Sequence, residues 1–191
     1  LAPIAKDYGL AKLPISFLGL TLPLLTLTLS IDSLANGFTR PLCGWISDRL
    51  GRENTMLLVF VGEGLAMIGL MNFGHTPAGF LIFAPLIFLF WGEIYSIFPA
   101  ICADTFGTKY ATGNAGALYT AKGTASLLVP LTSVLSANGN WNRAYIFAAV
   151  LSIAAGLAAK FILAPMRKRS IENSEALARN GFRAVPAGKA M

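Results

Sequence analysis

The 191 residues are 55% hydrophobic and 13% charged, with 15 Lys and Arg against 9 Asp and Glu. A soluble domain carries about 25% charged residues, so the composition excludes an ordinary soluble fold, and apolar runs of about 20 residues imply an all-α integral membrane protein. The positive excess gathers after Pro165, in Arg167, Lys168, Arg169, Arg179, Arg183 and Lys189 against Glu172 and Glu175. With only Phe182 interleaved, that pattern suits anionic membrane lipid rather than nucleic acid.

The chain opens "LAPIAKDYGLAK", without Met and without a basic leader. Residues 1–14 read as an extracellular or periplasmic lead-in from a preceding span of a longer protein. A transmembrane bundle is expected over 15–165, in five spans at about 15–46, 54–73, 79–103, 113–137 and 142–164. Short connectors ("SDRLGRE", "GHTP", "DTFGTKYAT", "NGNW") make consecutive spans antiparallel neighbours. The basic tail, 166–191, is expected to be disordered or to form a short surface helix. Arg49, Arg52, Lys109 and Arg167 to Arg169 fall on one side of five alternating spans, against Lys6, Lys12 and Arg143 on the other. The bias puts the "SDRLGRE" side and the C-terminus in the cytoplasm, the protein lying in the inner membrane.

Ionisable residues inside spans carry the functional information, because a charge at the bilayer centre costs about 2.5–3.5 kcal/mol on insertion scales. They are Asp32, Arg40, Glu63, Glu93 and Lys122; Lys160, near the end of its span, can snorkel. At about 1.5 Å rise per residue, Lys122 lies about 14 Å and Arg40 about 12 Å from the "SDRLGRE" side, with Tyr95 about 15 Å and Trp91 about 21 Å deep. These depths straddle the middle of a core about 30 Å thick. Trp91 and Tyr95 share a helix face, as do Tyr119, Lys122 and Ser126, and as do Asp32, Asn36 and Arg40. An arginine and a lysine at one level make a site for a small carboxylate and carry the charge to neutralise a divalent one, with Trp and Tyr edges around it; Asp32 would partner Arg40 when the site is empty. Glu93 points away from Trp91 and Tyr95; a structural role suits both it and Glu63, with an ion pair or proton coupling as the alternatives. Pro41 and Pro99 favour kinks beside the site, and Gly113, Gly116 and Gly123 permit close helix approach. Cys43, Cys102 and the single His75 make no metal cluster, no cofactor is expected, and no nucleophile–base pair suggests an enzyme.

The connector "GWISDRLGREN" resembles the major facilitator superfamily motif through Gly44, Asp48, Arg49, Gly51 and Arg52, with Glu53 where a basic residue is usual. The resemblance implies a conformational switch loop between two helices. Four spans follow the motif, so its second copy is implied, and the chain would hold helices eight to twelve, the C-terminal half without its first helix. "TRPLCGWISDRLGR", "WGEIYSIFPAICADTFGTKYATGNAG" and "YTAKGTAS" are similar to the oxalate:formate antiporter family over most of residues 1–165. That similarity implies a carrier of small carboxylates, oxalate exchanging for formate, in which Arg40 and Lys122 bind the anion. Trp91 and Tyr95 would close around it, with Tyr119 where the family has Trp. Its partners would be the carboxylate, membrane lipid and the N-terminal half of the same transporter. A proton-coupled monocarboxylate symporter using Glu93 or Glu63, and a non-transporting carboxylate sensor, remain the alternatives.

Overall fold

The computed structural model describes residues 1–17, 19–92, 94–136 and 139–179, leaving aside the side chains of 94, 95, 133 and 177–179. A short helix α1 (Ala2–Asp7) starts the chain with Pro3 in its first turn, where a missing amide costs nothing. Residues expected to begin the first span instead form an antiparallel hairpin, β1 (Pro14–Phe17) and β2 (Leu20–Pro23), in the register Pro14↔Pro23 and Phe17↔Leu20. The reason is local. Pro14 and Pro23 bracket the segment, Gly19 takes φ +80° at the turn, and a left-handed residue halts a helix but suits a tight hairpin. Helix α2 (Leu24–Leu50) therefore starts at Leu24, not at Ile15.

Gly51, at φ +85°, separates α2 from α3 (Arg52–Phe73). Helix α4 (Pro77–Trp91) has Thr76 as its cap, whose side chain accepts from the Gly79 amide at 3.1 Å. Helix α5 (Ile94–Phe106) follows after Glu93, which lies outside the described residues. The next predicted span divides into α6 (Ala111–Ser126) and α7 (Val129–Leu135), where Pro130 begins a new first turn. Helix α8 (Asn142–Ala158) passes through a π turn, Ala159–Leu163, into α9 (Ala164–Arg179). The π turn stands immediately before Pro165, whose ring and missing amide would break a regular α ladder. The first part of the basic tail is thus helical, and its remainder lies outside the described residues.

Among the described residues three stretches are long and apolar enough to cross a membrane: Arg52–Phe73, Pro77–Phe106 and Asn142–Ala176. Helix α2 has the length, at 27 residues, but carries Asp32, Arg40, Asp48 and Arg49; α6 has 16 residues and a Thr, Tyr and Lys face. These are the helices given polar stripes by the sequence.

Helix α3 is the hub, packed on α4 and α8, while α2 lies on α4. Glycines set the close approaches. A Cβ at Gly64 would stand 2.6 Å from Ile153 Cγ1 on α8, one at Gly69 2.2 Å from Phe83 on α4, and one at Gly92 2.6 Å from Asn36 Oδ1 on α2. At Gly113, Gly116 and Gly123 no atom lies within 4 Å of such a Cβ, so the close contacts expected there are made elsewhere. Two apolar clusters result. One joins Ala5, Leu10, Leu24, Leu70, Phe80, Ala84 and Tyr145 at the hairpin end. The other joins Cys43, Met56, Val59, Ile97, Ile101 and Ala159 toward the Asp48 end.

Candidate functional site

The centre of the site is where the C-terminal turn of α4 meets α2 and α6. The buried Thr39 hydroxyl on α2 lies 2.8 Å from Ala35 O in its own helix and 2.5 Å from Leu89 O. That contact and the bare Gly92 clamp the last turn of α4 onto α2, and the clamp fixes where Trp91 points. Lys122, from α6, brings Nζ to 5.3 Å from the centroid of the Trp91 ring. An ammonium at that range is attracted by the ring's negative face, so the ring orients the cation. Around them is a half-open cavity of about 300 Å³ lined by Trp91, Phe98, Leu118, Tyr119, Ala121, Lys122 and Ala125. Trp91, Tyr119 and Lys122, named from sequence, are thus brought together. Phe98 was not named, although it stands seven residues beyond Trp91 and continues that helix face. Ala121 and Ala125 supply the room.

Arg40 is not a lining residue of this cavity. It is exposed on α2, one residue beyond Thr39 and so beside the clamped turn. Neither the Tyr95 side chain nor Glu93 belongs to the described residues. Asp32 departs from its expected partnership with Arg40: it is 4% exposed, and both carboxylate oxygens lack a hydrogen-bond partner. The two residues are eight positions apart, about 12 Å along the helix, too far for a direct pair. Glu63 is buried at the α3–α8 contact, where the Ser152 hydroxyl lies 2.7 Å from Oε2 and 2.9 Å from Phe60 O.

The motif residues form a charge network where α2, α3, α5 and α9 converge. Arg52 donates to Asp48 Oδ1 at 2.8 Å, to Ser47 Oγ at 2.9 Å and to Asp104 Oδ2 at 3.1 Å. Arg167 donates to Glu53 Oε1 at 2.5 Å and reaches Asp104 Oδ2 at 3.9 Å. Arg49 stacks on Trp45, 4.1 Å from the ring centroid, and Lys160 bonds Asn54. Gly44 has open space about it, and Gly51 supplies the left-handed link. Glu53, the motif's odd residue, is explained by Arg167. Asp104 and Arg167 were not named as site residues; the chain distance of 114 residues between Glu53 and Arg167 hides their pairing from any local pattern. At the opposite end the Tyr8 and His75 rings meet tilted at 38° with centroids 3.9 Å apart, and the Trp141 indole donates to Asp7 Oδ2 at 2.8 Å.

Apolar helices around a half-open cavity, with a cation placed over an aromatic face, are the build of a membrane solute carrier, and nothing in the cavity pairs a nucleophile with a base. Comparison with known proteins carries this further. The chain belongs to the Major Facilitator Superfamily, a family of multi-pass membrane transporters, whose family model matches residues 1–189. It is 36% identical over 154 residues to an "Oxalate:formate antiporter" of Oxalobacter formigenes, covering 78% of this chain and 36% of that protein. It is 33% identical over 172 residues to an "Uncharacterized 38 kDa protein in 23S RNA operon" of Thermoproteus tenax, covering 84% of this chain and 43% of that one. The chain therefore spans less than half the length of either relative.

Proposed function

We propose that this chain is the C-terminal portion, helices eight to twelve, of an antiporter for small carboxylates that exchanges oxalate for formate by alternating access. The observation that carries the reading is Lys122 Nζ over Trp91 in an otherwise apolar cavity. Such a cation offsets the charge of a visiting anion, and the anion offsets the cost of keeping an ammonium there. Arg40, beside the clamped Trp91 turn, supplies the second charge when the site closes, its planar fork matching a carboxylate. Tyr119 and Tyr95 border the anion. The missing wall of the cavity comes from the N-terminal half of the same carrier, and rocking of the halves exposes the site to each side in turn. The Gly44–Arg52 segment, the end of α2 and its Gly51 link to α3, lies with its charge network on the cytoplasmic side of the inner membrane, where the pairs form in one state and separate in the other. The basic face of α9 rests on anionic lipid there.

The test is counterflow of labelled oxalate in liposomes holding the full carrier that contains this chain. Lys122→Gln and Arg40→Gln are expected to insert normally and to lose dicarboxylate exchange. Uptake by Lys122→Gln equal to wild type, or oxalate movement indifferent to formate on the opposite side, overturns the proposal.

A further inference from the structure

The side chains of Asp32 and Asn36 lie one turn apart on one face of α2, and between them three buried acceptor atoms have no donor: both carboxylate oxygens of Asp32 and Oδ1 of Asn36. No other part of the described molecule concentrates unanswered acceptors in this way. Asp32 is 4% exposed, so water does not answer for them. Nearby polar groups are already committed. The Thr28 hydroxyl donates to Leu24 O at 2.8 Å, and the Ser33 hydroxyl donates to Leu29 O at 2.9 Å. The Thr39 hydroxyl is taken by Ala35 O and Leu89 O.

We propose that Asp32 and Asn36 form a proton-binding site, separate from the Trp91–Lys122 cavity, in which Asp32 holds a proton and offers it to Asn36 Oδ1. One proton, taken from water, pairs two of the three atoms and leaves the third as the oxygen of a neutral carboxyl group. It removes the charge that burial penalises, turns one carboxyl oxygen into a donor, and gives Asn36 the donor it lacks. Residues four apart on a helix face are within reach of such a bond. A desolvated metal ion fits poorly. Hard cations gather six or more oxygens, whereas these two side chains offer three. Gly92 contributes by its bareness, since a Cβ there would stand 2.6 Å from Asn36 Oδ1 and displace the acceptor. The site does not depend on which carboxylate the carrier moves, and its test does not use transport.

The experiment is infrared difference spectroscopy on H₂O-to-D₂O exchange at neutral pH, with the full carrier in lipid nanodiscs. The wild type is expected to show a protonated-carboxyl band that is absent from Asp32→Asn and retained in Glu63→Gln and Glu93→Gln. In Asn36→Leu the band persists but moves to higher frequency, because the acid has lost its acceptor. Two further variants keep the test open if Asp32→Asn fails to fold: Asp32→Glu and Asn36→Leu must each shift the band. Identical spectra for wild type and Asp32→Asn, or a band unmoved in either Asp32→Glu or Asn36→Leu, overturn the proposal. A band that vanishes as sodium is raised overturns it in favour of a metal ion.

Discussion

Breaking the contact between Glu53 and Arg167 tests whether the charge network holds the far end of the chain to the motif loop. The two side chains are 15% and 19% exposed and meet at 2.5 Å. Opposite charges about 4 Å apart attract by about 4 kcal/mol at an effective dielectric near 20. Desolvation and side-chain ordering return much of that, which leaves a coupling of about 1–2 kcal/mol. The pair Lys168–Glu172 is the internal control: at 4.0 Å, with side chains 79% and 61% exposed, its coupling should not exceed about 0.5 kcal/mol. The measurement is a double-mutant cycle of Glu53→Gln and Arg167→Gln beside Lys168→Gln and Glu172→Gln, read by thermal unfolding in nanodiscs with a thiol-reactive dye. Cys43 and Cys102 are both buried thiols outside any disulfide, so the dye reports loss of packing. Arg167 also reaches Asp104 at 3.9 Å, but that contact is lost in both arms that lack Arg167 and cancels from the coupling. A Glu53–Arg167 coupling no larger than that of the control pair would refute the network as a structural tie.

The Ser152→Ala change leaves Glu63 buried without its hydroxyl partner and should destabilise by about 1–3 kcal/mol in the same unfolding assay; an unchanged midpoint would detach Glu63 from the α3–α8 contact. Gly64→Leu should cost about 1–3 kcal/mol or more by overpacking against Ile153 and Ala149 O. Gly37→Ala, with nothing within 4 Å of the added Cβ, should gain about 0.5–1 kcal/mol of helix stability, and the two shifts must have opposite signs. Trp91→Leu removes the ring that orients Lys122, an interaction worth about 0.5–1 kcal/mol at an accessible site. It should raise the KM for dicarboxylate by about two- to five-fold, and an unaltered KM would mean that the ring does not position the cation.

Helix identity and membrane class were legible because both are written in local pattern: apolar runs, their length and the scarcity of charge. The grouping of Trp91, Tyr119 and Lys122 was legible too, since helical spacing gave each a face and helical rise put Trp91 and Lys122 near mid-membrane. Helix ends were read less well. The apolar run from Ile15 looks like membrane helix by composition, yet Pro14, Gly19 and Pro23 turn it into a hairpin. The charged tail, read as disordered or as a short surface helix, continues α8 as helix in its first part, tied down by Arg167. Small residues could be recognised as permissive in the sequence, while the glycines actually pressed against neighbours are Gly64, Gly69 and Gly92 rather than those of α6.

The sequence by itself settled the solvent this chain belongs in, its helical character, and the residue types that make a cation-lined cavity inside it. Those follow from transfer free energy and from the 3.6-residue period, which act on neighbours in the chain. Tertiary structure decided the partnerships: Glu53 with Arg167, Glu63 with Ser152, Lys122 over Trp91, and Asp32 with no partner at all. Each joins or fails to join side chains from different helices, and which helix faces converge is fixed by the packing of the whole bundle, not by any stretch of it.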